Sequence, residues 1–112
     1  MSDILYKLTA VIQERKNACA KTSYVSELLA KGQDAVLKKI GEEATEFVMA
    51  CKDSRIEGTK DKIVAEATDL LFHLMVALAH HELKIDDVLH ELERRQGVSG
   101  ITEKLKRKES GI

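Results

Sequence analysis

The chain has 112 residues, 33% of them charged, and a formal net charge of −1. This length suits a single domain spanning residues 1–112. The 18 basic and 19 acidic residues nearly balance, which argues against a protein that binds nucleic acid by neutralising phosphates. Proline is absent and aromatic residues make up 4%, so helices can run without interruption, and we expect an all-α fold.

Two helices are predicted in the first third of the chain. Residues 3–18 form the first, with Asp3 as its cap, because leucine, valine and isoleucine recur at helical spacing. Residues 24–31 form a short second helix. Ser23 is its expected N-cap, and Gly32 supplies the left-handed residue that ends it.

Two long helices follow and form an antiparallel hairpin. Asp34 is expected to cap the first of them, over residues 35–53. Ser54–Gly58 is the connecting loop, and the second long helix runs from Thr59 to about Leu83.

The second long helix is apolar on more sides than one neighbour can cover. Its apolar residues are Ile63, Val64, Ala67, Leu70, Leu71, Phe72, Leu74, Met75, Val76, Ala77 and Leu78. A helix that is apolar around its circumference is buried around its circumference. A second copy supplies that cover most simply, so we expect a helical bundle completed by homodimerisation.

No membrane association or export is expected. His73 and His80–His81 interrupt the apolar stretch before it reaches the ~20 residues of a membrane span. The first residues contain no basic segment followed by an apolar one, so no secretory signal is predicted. Cys19 and Cys51 have neither metal nor disulfide spacing. These features favour a cytoplasmic protein.

A last helix and a tail complete the prediction. Asp86 is expected to cap the helix, which reaches about Gln96 and stops at Gly97. Residues 98–112 include the basic run Lys104–Lys108, and we expect them to form a loosely ordered tail.

Carboxylates recur at matching positions on the two long helices. Glu43 and Glu46 are three residues apart, as are Glu66 and Asp69, and Glu42 precedes Glu46 by four. Such spacing places like charges on one helix surface, where they repel by a few tenths of a kcal/mol. The two pairs lie at similar distances from the predicted loop, so they converge if they face each other.

Converging carboxylates call for neutralisation by cations. A set of oxygen ligands suits Mg²⁺, with Mn²⁺ as a substitute. A di-iron centre is disfavoured, because it needs a histidine three residues after a glutamate, where this chain has Glu46 and Asp69. Spacing alone leaves two alternatives open, a metal site and ordinary solvated carboxylates.

The sequence around these carboxylates resembles the phosphoribosyl-ATP pyrophosphohydrolase family of the all-α nucleotide pyrophosphohydrolase superfamily. The similar segments are SYVSELLAKGQDAVLKKIGEEATEFVMACKD (Ser23–Asp53), IVAEATDLLFHLMVALAHHELKIDDVLHELERR (Ile63–Arg95) and GVSGITEK (Gly97–Lys104). The resemblance covers nearly the whole chain. It implies Mg²⁺-dependent hydrolysis of phosphoribosyl-ATP to phosphoribosyl-AMP and pyrophosphate, the second step of histidine biosynthesis, by a homodimeric helical bundle.

The resemblance also implies roles for the carboxylates. Glu43, Glu46, Glu66 and Asp69 would hold the metal, with Glu42 either as an additional ligand or as a residue that contacts a ligand. Our own hypothesis is that Glu46 or Glu42 also orients or deprotonates the attacking water, and spacing does not choose between them.

Seven further residues are candidate substrate contacts: Lys38, Lys39, Lys31, Tyr24, Arg94, Arg95 and His73. Each has an ordinary structural alternative, such as ion pairing along a helix for the lysines or a hydrogen-bonded core position for the histidine. Two other functions are also open. One is a house-cleaning pyrophosphohydrolase of free nucleoside triphosphates, against which GVSGITEK argues, and the other is a helical dimerisation module without activity.

Overall fold

The computed structural model describes residues 3–16, 23–53 and 59–96. These residues form the helices α1 (Ile4–Lys16), α2 (Tyr24–Lys31), α3 (Gln33–Lys52), α4 (Thr59–His80) and α5 (Ile85–Gln96). The described part of the chain contains no strand, which confirms the all-α prediction. The predicted end of the first helix, the loop 54–58 and the tail 98–112 lie outside the described residues.

The junction between α2 and α3 is tighter than predicted. The Ser23 side chain caps α2 as expected, accepting a hydrogen bond from the Ser26 N–H at 3.0 Å. Gly32, with φ of 95°, then ends α2 and directly precedes α3. The prediction that Asp34 caps α3 is therefore wrong. Asp34 lies in the first helical turn, where its negative charge favours the helix dipole.

The end of α4 also differs from the prediction, because the helix stops at His80 rather than near Leu83. Glu82 adopts φ of 59°, and its N–H donates to the Ala79 carbonyl at 3.2 Å. The Leu83 N–H reaches back to the Leu78 carbonyl at 3.0 Å. This pair of bonds is a Schellman motif, in which the left-handed residue is a glutamate instead of the usual glycine.

The start of α5 is capped by a different aspartate from the predicted one. Asp86 lies inside the first turn, since the helix begins at Ile85. Asp87 instead accepts a hydrogen bond from the Lys84 N–H at 2.9 Å. A side chain three residues into the helix thus satisfies the N–H that precedes it.

One apolar core joins the five helices. Its buried members are Ile12, Val25, Leu28, Val36, Met75, Val76, Ala79 and Ile85. Among the described helices, α3 and α4 pack against each other most extensively. Because they are joined by a short connection, they lie side by side as the two arms of the predicted hairpin.

In the single chain, α4 is not covered on all sides. Val64 is 65% exposed, and Leu71 and Leu74 are also exposed. By length and composition alone, the segment Lys60–His80 is long and apolar enough to cross a membrane. The prediction that histidines interrupt this apolar stretch before it reaches the length of a membrane span is therefore wrong by these two criteria. The core helix of a soluble protein passes the same test, and the packing of α4 against α3 accounts for part of its apolar surface.

Candidate metal centre

Three carboxylates from two helices meet where α3 packs on α4. One oxygen from each of Glu43, Glu46 and Glu66 lies within 4.8 Å of the others. On α3, Val36, Glu43 and Ala50 are buried at intervals of seven residues, which marks the face turned towards the neighbouring helices. The helix period therefore places Glu43 on an inward face, in line with apolar core residues.

The cluster is electrostatically unfavourable without a cation. Glu43 is 8% exposed, and its Oε2 is buried without a hydrogen-bond partner, as is Oε2 of Glu66. Burial raises the pKa of Glu66, and so do a hydrogen bond with Glu46 and the negative charges of Glu46, Glu43 and Asp69. A buried charge is tolerated when it is paired or binds a metal.

These residues fit a hard divalent cation. The donor set consists of carboxylate oxygens alone, which suits Mg²⁺ or Mn²⁺ better than softer metals. Two buried oxygens without partners supply the acceptor positions that such an ion would occupy. The three-residue cluster leaves further coordination positions for water or phosphate oxygens, the usual arrangement for Mg²⁺.

Asp69 and Glu42 lie beside this cluster, outside the three-residue group. Asp69 is exposed, one turn after Glu66, and its charge acts on that carboxylate. Glu42 is exposed and lies on an open face of α3 together with Glu46. Their predicted roles at the metal stay predictions.

The same open face of α3 carries one of the predicted phosphate contacts. Lys38 lies on it, and no carboxylate in the described segments forms an ion pair with this lysine, so its contact with phosphate stays a prediction. Gly41 and Thr45 also lie on this face and were missed. The available signal was the glycine itself, which is unfavourable inside a helix.

Tyr24 and His73 connect α2 to α4. His73 is 5% exposed, and both ring nitrogens have partners: the Tyr24 hydroxyl at 3.0 Å and the Asp69 carbonyl at 2.8 Å. The Tyr24 ring is half-exposed and stacks on Phe72 with a centroid distance of 6.2 Å. His73 thus occupies a hydrogen-bonded core position next to the metal-site helix face, whereas Tyr24 faces both core and solvent.

Comparison with known proteins agrees with this geometry. Residues 5–96 match the family model described as phosphoribosyl-ATP pyrophosphohydrolase. The chain belongs to the phosphoribosyl-ATP pyrophosphohydrolase family. The match includes all the carboxylates of the cluster, so the resemblance that the sequence indicated is confirmed, and with it the prediction of a hydrolase.

Several curated relatives are similar over nearly their whole length. The phosphoribosyl-ATP pyrophosphatase of Burkholderia thailandensis is 56% identical over 108 residues, covering 96% of this chain and 88% of the relative. Phosphoribosyl-ATP pyrophosphatases of Burkholderia mallei and Burkholderia pseudomallei are each 56% identical over 106 residues, covering 95% of this chain and 87% of the relative.

The remaining candidate contacts of this pyrophosphohydrolase lie on helix surfaces. Lys31 forms an exposed ion pair with Glu27 at 3.5 Å. Lys39 is half-buried on α3 and forms no ion pair with Glu43. Their predicted contacts with substrate stay predictions.

The arginine pair is held on its own helix. Arg94 and Arg95 both bind Glu91, with the shortest distances 2.7 Å and 3.0 Å. The two guanidinium groups lower the pKa of Glu91 to about 2. Both arginines thus pair with a glutamate of their own helix, and their predicted contact with phosphate stays a prediction.

Proposed function

We propose that this chain hydrolyses phosphoribosyl-ATP to phosphoribosyl-AMP and pyrophosphate at the α–β phosphoanhydride, in the cytoplasm, as the second step of histidine biosynthesis. Glu43, Glu46 and Glu66 hold Mg²⁺, and Asp69 and Glu42 complete its surroundings. The supporting observation is the convergence of the three carboxylates within 4.8 Å, with buried oxygens that lack partners. The family match and the names of the relatives support the substrate.

The bound cation supplies charge neutralisation for the phosphates and lowers the pKa of a coordinated water. The protein side chains position the reacting groups and accept the proton. Glu43, fixed by burial, anchors the cluster, whereas Glu46 is exposed and lies both in the cluster and on the open face of α3. Glu46 is therefore placed to receive a proton while keeping access to substrate.

The chemical step needs one proton acceptor. The water oxygen bonds to phosphorus as the anhydride P–O bond breaks, and the Glu46 carboxylate takes the water proton. Glu42 lies on the same open face of α3 and is the second candidate for this role. Lys38, also on that face, meets negative charge on the phosphates.

Pyrophosphate release tests this function. We would measure it with Mg²⁺ and with a chelator, on phosphoribosyl-ATP and on a panel of nucleoside triphosphates. We expect activity on phosphoribosyl-ATP that the chelator abolishes. Activity on the panel alone would support the house-cleaning alternative, and none on any substrate would support the dimerisation module.

Substitutions test which carboxylate accepts the proton from water. Glu46→Gln should keep the fold and lower kcat by at least ~100-fold, the scale of general-base catalysis. Glu14→Gln, an exposed position on α1, is the matched control and should keep wild-type turnover. Wild-type turnover in Glu46→Gln would contradict the assigned role and leave Glu42 as the candidate base.

We also propose that a second copy of the chain completes the bundle. Val64 and Leu92 are 65% and 53% exposed, more than large apolar side chains usually are in an interior helix. Val88 and Leu92 line an apolar groove of about 280 Å³ beside Leu78 at the end of α4. A twofold arrangement brings such a surface against itself, which covers α4 and α5 together.

A further inference from the structure

Tyr24, the first residue of α2, has a half-exposed ring whose orientation is fixed from the inside. Its hydroxyl lies 3.0 Å from Nε2 of His73, and its ring stacks on Phe72 with a centroid distance of 6.2 Å and an interplanar angle of 24°. The His73 ring meets the tyrosine ring edge-on at a centroid distance of 6.0 Å. Tyr24 is nevertheless 49% exposed. The protein thus holds an aromatic ring in one orientation while solvent still reaches it.

These contacts place the ring on the same side of α4 as Asp69. Phe72 and His73 follow Asp69 by three and four residues, so they are its two neighbours in the next helical turn. Tyr24 contacts both of them and therefore lies one turn beyond Asp69 on the same face. Asp69 is exposed, and its charge acts on Glu66, a member of the carboxylate cluster. The aromatic ring therefore borders the part of the carboxylate surface that solvent reaches.

The distance from the cluster to the ring suits a nucleotide. His73, which contacts Tyr24, follows Glu66 by seven residues, and seven residues of α-helix span ~10 Å along the axis. A nucleotide carries its base and its phosphates at opposite ends of a ribose, so phosphates bound at the cluster leave the base at a separation of this order. Because α2 packs against both α3 and α4, the ring of Tyr24 stands next to both helices of the cluster.

We propose that the ring of Tyr24 stacks on the purine base of the substrate while the phosphates bind at the carboxylate cluster. This inference rests on the proposed function and adds a base contact to its site. Purines stack favourably on aromatic side chains, and a ring that is already held in place loses little freedom on binding. Since the hydroxyl of Tyr24 is bonded to the buried His73, the ring is the part of this side chain that remains for a ligand.

A second copy of the chain suits this position less well than a nucleotide. The ring borders Asp69 and the cluster, and carboxylates that are buried in a protein interface need matched partners there. A nucleotide brings such a partner with it, because its cation binds the carboxylates while its base covers the ring. The apolar surface proposed for dimerisation contains Val88 and Leu92, which belong to α5.

Two substitutions of Tyr24 separate the ring from the hydroxyl. Tyr24→Phe and Tyr24→Leu both remove the hydrogen bond to His73, but the phenylalanine keeps an aromatic ring. We expect the KM for phosphoribosyl-ATP to be about tenfold higher in Tyr24→Leu than in Tyr24→Phe, which is within the range of base–aromatic stacking, and kcat to differ less than KM. Tyr6→Leu, at an exposed position of α1, is the matched control and should keep the wild-type KM. Equal KM values in the two Tyr24 variants would overturn the inference.

Tyrosine fluorescence tests the stacking without turnover. The chain has two tyrosines and no tryptophan, so the emission comes from Tyr24 in the variant Tyr6→Phe and from Tyr6 in the variant Tyr24→Phe. The probes are the magnesium complexes of α,β-methylene-ATP, whose α–β linkage resists hydrolysis, and of tripolyphosphate, which has no base. We expect the ATP analogue to quench the emission of Tyr6→Phe and to leave that of Tyr24→Phe unchanged, and we expect tripolyphosphate to change neither.

Two fluorescence results would overturn the inference. One is equal quenching of the two variants by the ATP analogue, and the other is equal quenching of Tyr6→Phe by both probes. A wild-type chain that releases no pyrophosphate from phosphoribosyl-ATP would instead contradict the proposed function. Because the fluorescence titration needs no turnover, it decides the inference about Tyr24 in that case as well.

Discussion

The hydroxyl of Tyr24 donates a hydrogen bond to Nε2 of His73 at 3.0 Å, and this contact joins α2 to α4. The Asp69 carbonyl, 2.8 Å from Nδ1, can only accept, so Nδ1 carries a proton, and in that tautomer Nε2 is the acceptor for the Tyr24 hydroxyl. His73 follows Asp69 by one helical turn. The helix that contains Tyr24 is therefore anchored directly beside the carboxylate face of α4.

Replacement of Tyr24 by phenylalanine should expose the contribution of this link. Stacking on Phe72 is kept, but Nε2 of the buried His73 loses its partner, so the free energy of unfolding should fall by about 1–2 kcal/mol. Urea unfolding measures the change. Tyr6→Phe is the matched control, since Tyr6 is 63% exposed on α1, and it should leave stability unchanged. Equal stability of the two variants would contradict an anchoring role.

Metal binding should be visible without any substrate. Mg²⁺ at a hundred times its dissociation constant should stabilise the wild-type chain by about 2.7 kcal/mol. In the double variant Glu43→Gln/Glu66→Gln this stabilisation by Mg²⁺ should disappear. Without metal, the variant should have a higher melting temperature than the wild type, because the repulsion between the clustered carboxylates is relieved. Thermal melts with Mg²⁺ or a chelator measure both effects.

Glu14→Gln serves as the control for the metal experiment, because Glu14 is an exposed carboxylate on α1. It should retain the full Mg²⁺-dependent shift. An equal shift in all three proteins would mean that the cation binds elsewhere, and it would contradict the proposed centre.

The hairpin and its carboxylates were predictable from the sequence because they depend on helical periodicity. Glu43 and Glu66 meet as expected, since residues at fixed spacing share a face whatever the exact helix ends. The helix ends themselves were less predictable. Glu82 takes a left-handed conformation that glycine usually provides, so no residue type marked the end of α4.

The open face of α3 that carries Lys38 and Glu42 also contains two residues that the sequence did not mark. Thr45 and Gly41 share that face by helical spacing, but they carry no charge and have no obvious chemistry. Arg95 shows the opposite case. Its charge suggested a phosphate contact, but the helix places Arg95 next to Glu91, four residues earlier, and the two side chains form an ion pair.

A charge placed in the apolar groove of α5 should separate the proposed dimer. Leu92 is 53% exposed in the single chain, so Leu92→Asp should leave the monomer folded while burying a charge in the dimer. Light scattering should give twice the 12.5 kDa mass of the chain for the wild type and the single mass for the variant. Ala10→Asp adds the same charge on α1 and should keep the wild-type mass. A dimeric Leu92→Asp would contradict this location of the interface.

The Glu91 carboxylate should titrate far below ordinary glutamates. Hydrogen bonds from Arg94 and Arg95 lower its pKa from 4.5 to about 2. A carboxylate with a lowered pKa binds fewer protons in the folded chain than in the unfolded one, so its contribution to stability is complete above pH 4.5 and is lost as the pH falls towards 2.

Carbon-13 NMR of the side-chain carboxyl of Glu91 measures this pKa directly. In Arg94→Gln/Arg95→Gln it should rise towards 4.5, whereas Arg15→Gln, which removes a charge from α1, should leave it unchanged. An unchanged pKa in the double variant would contradict the two ion pairs as the cause of the low value.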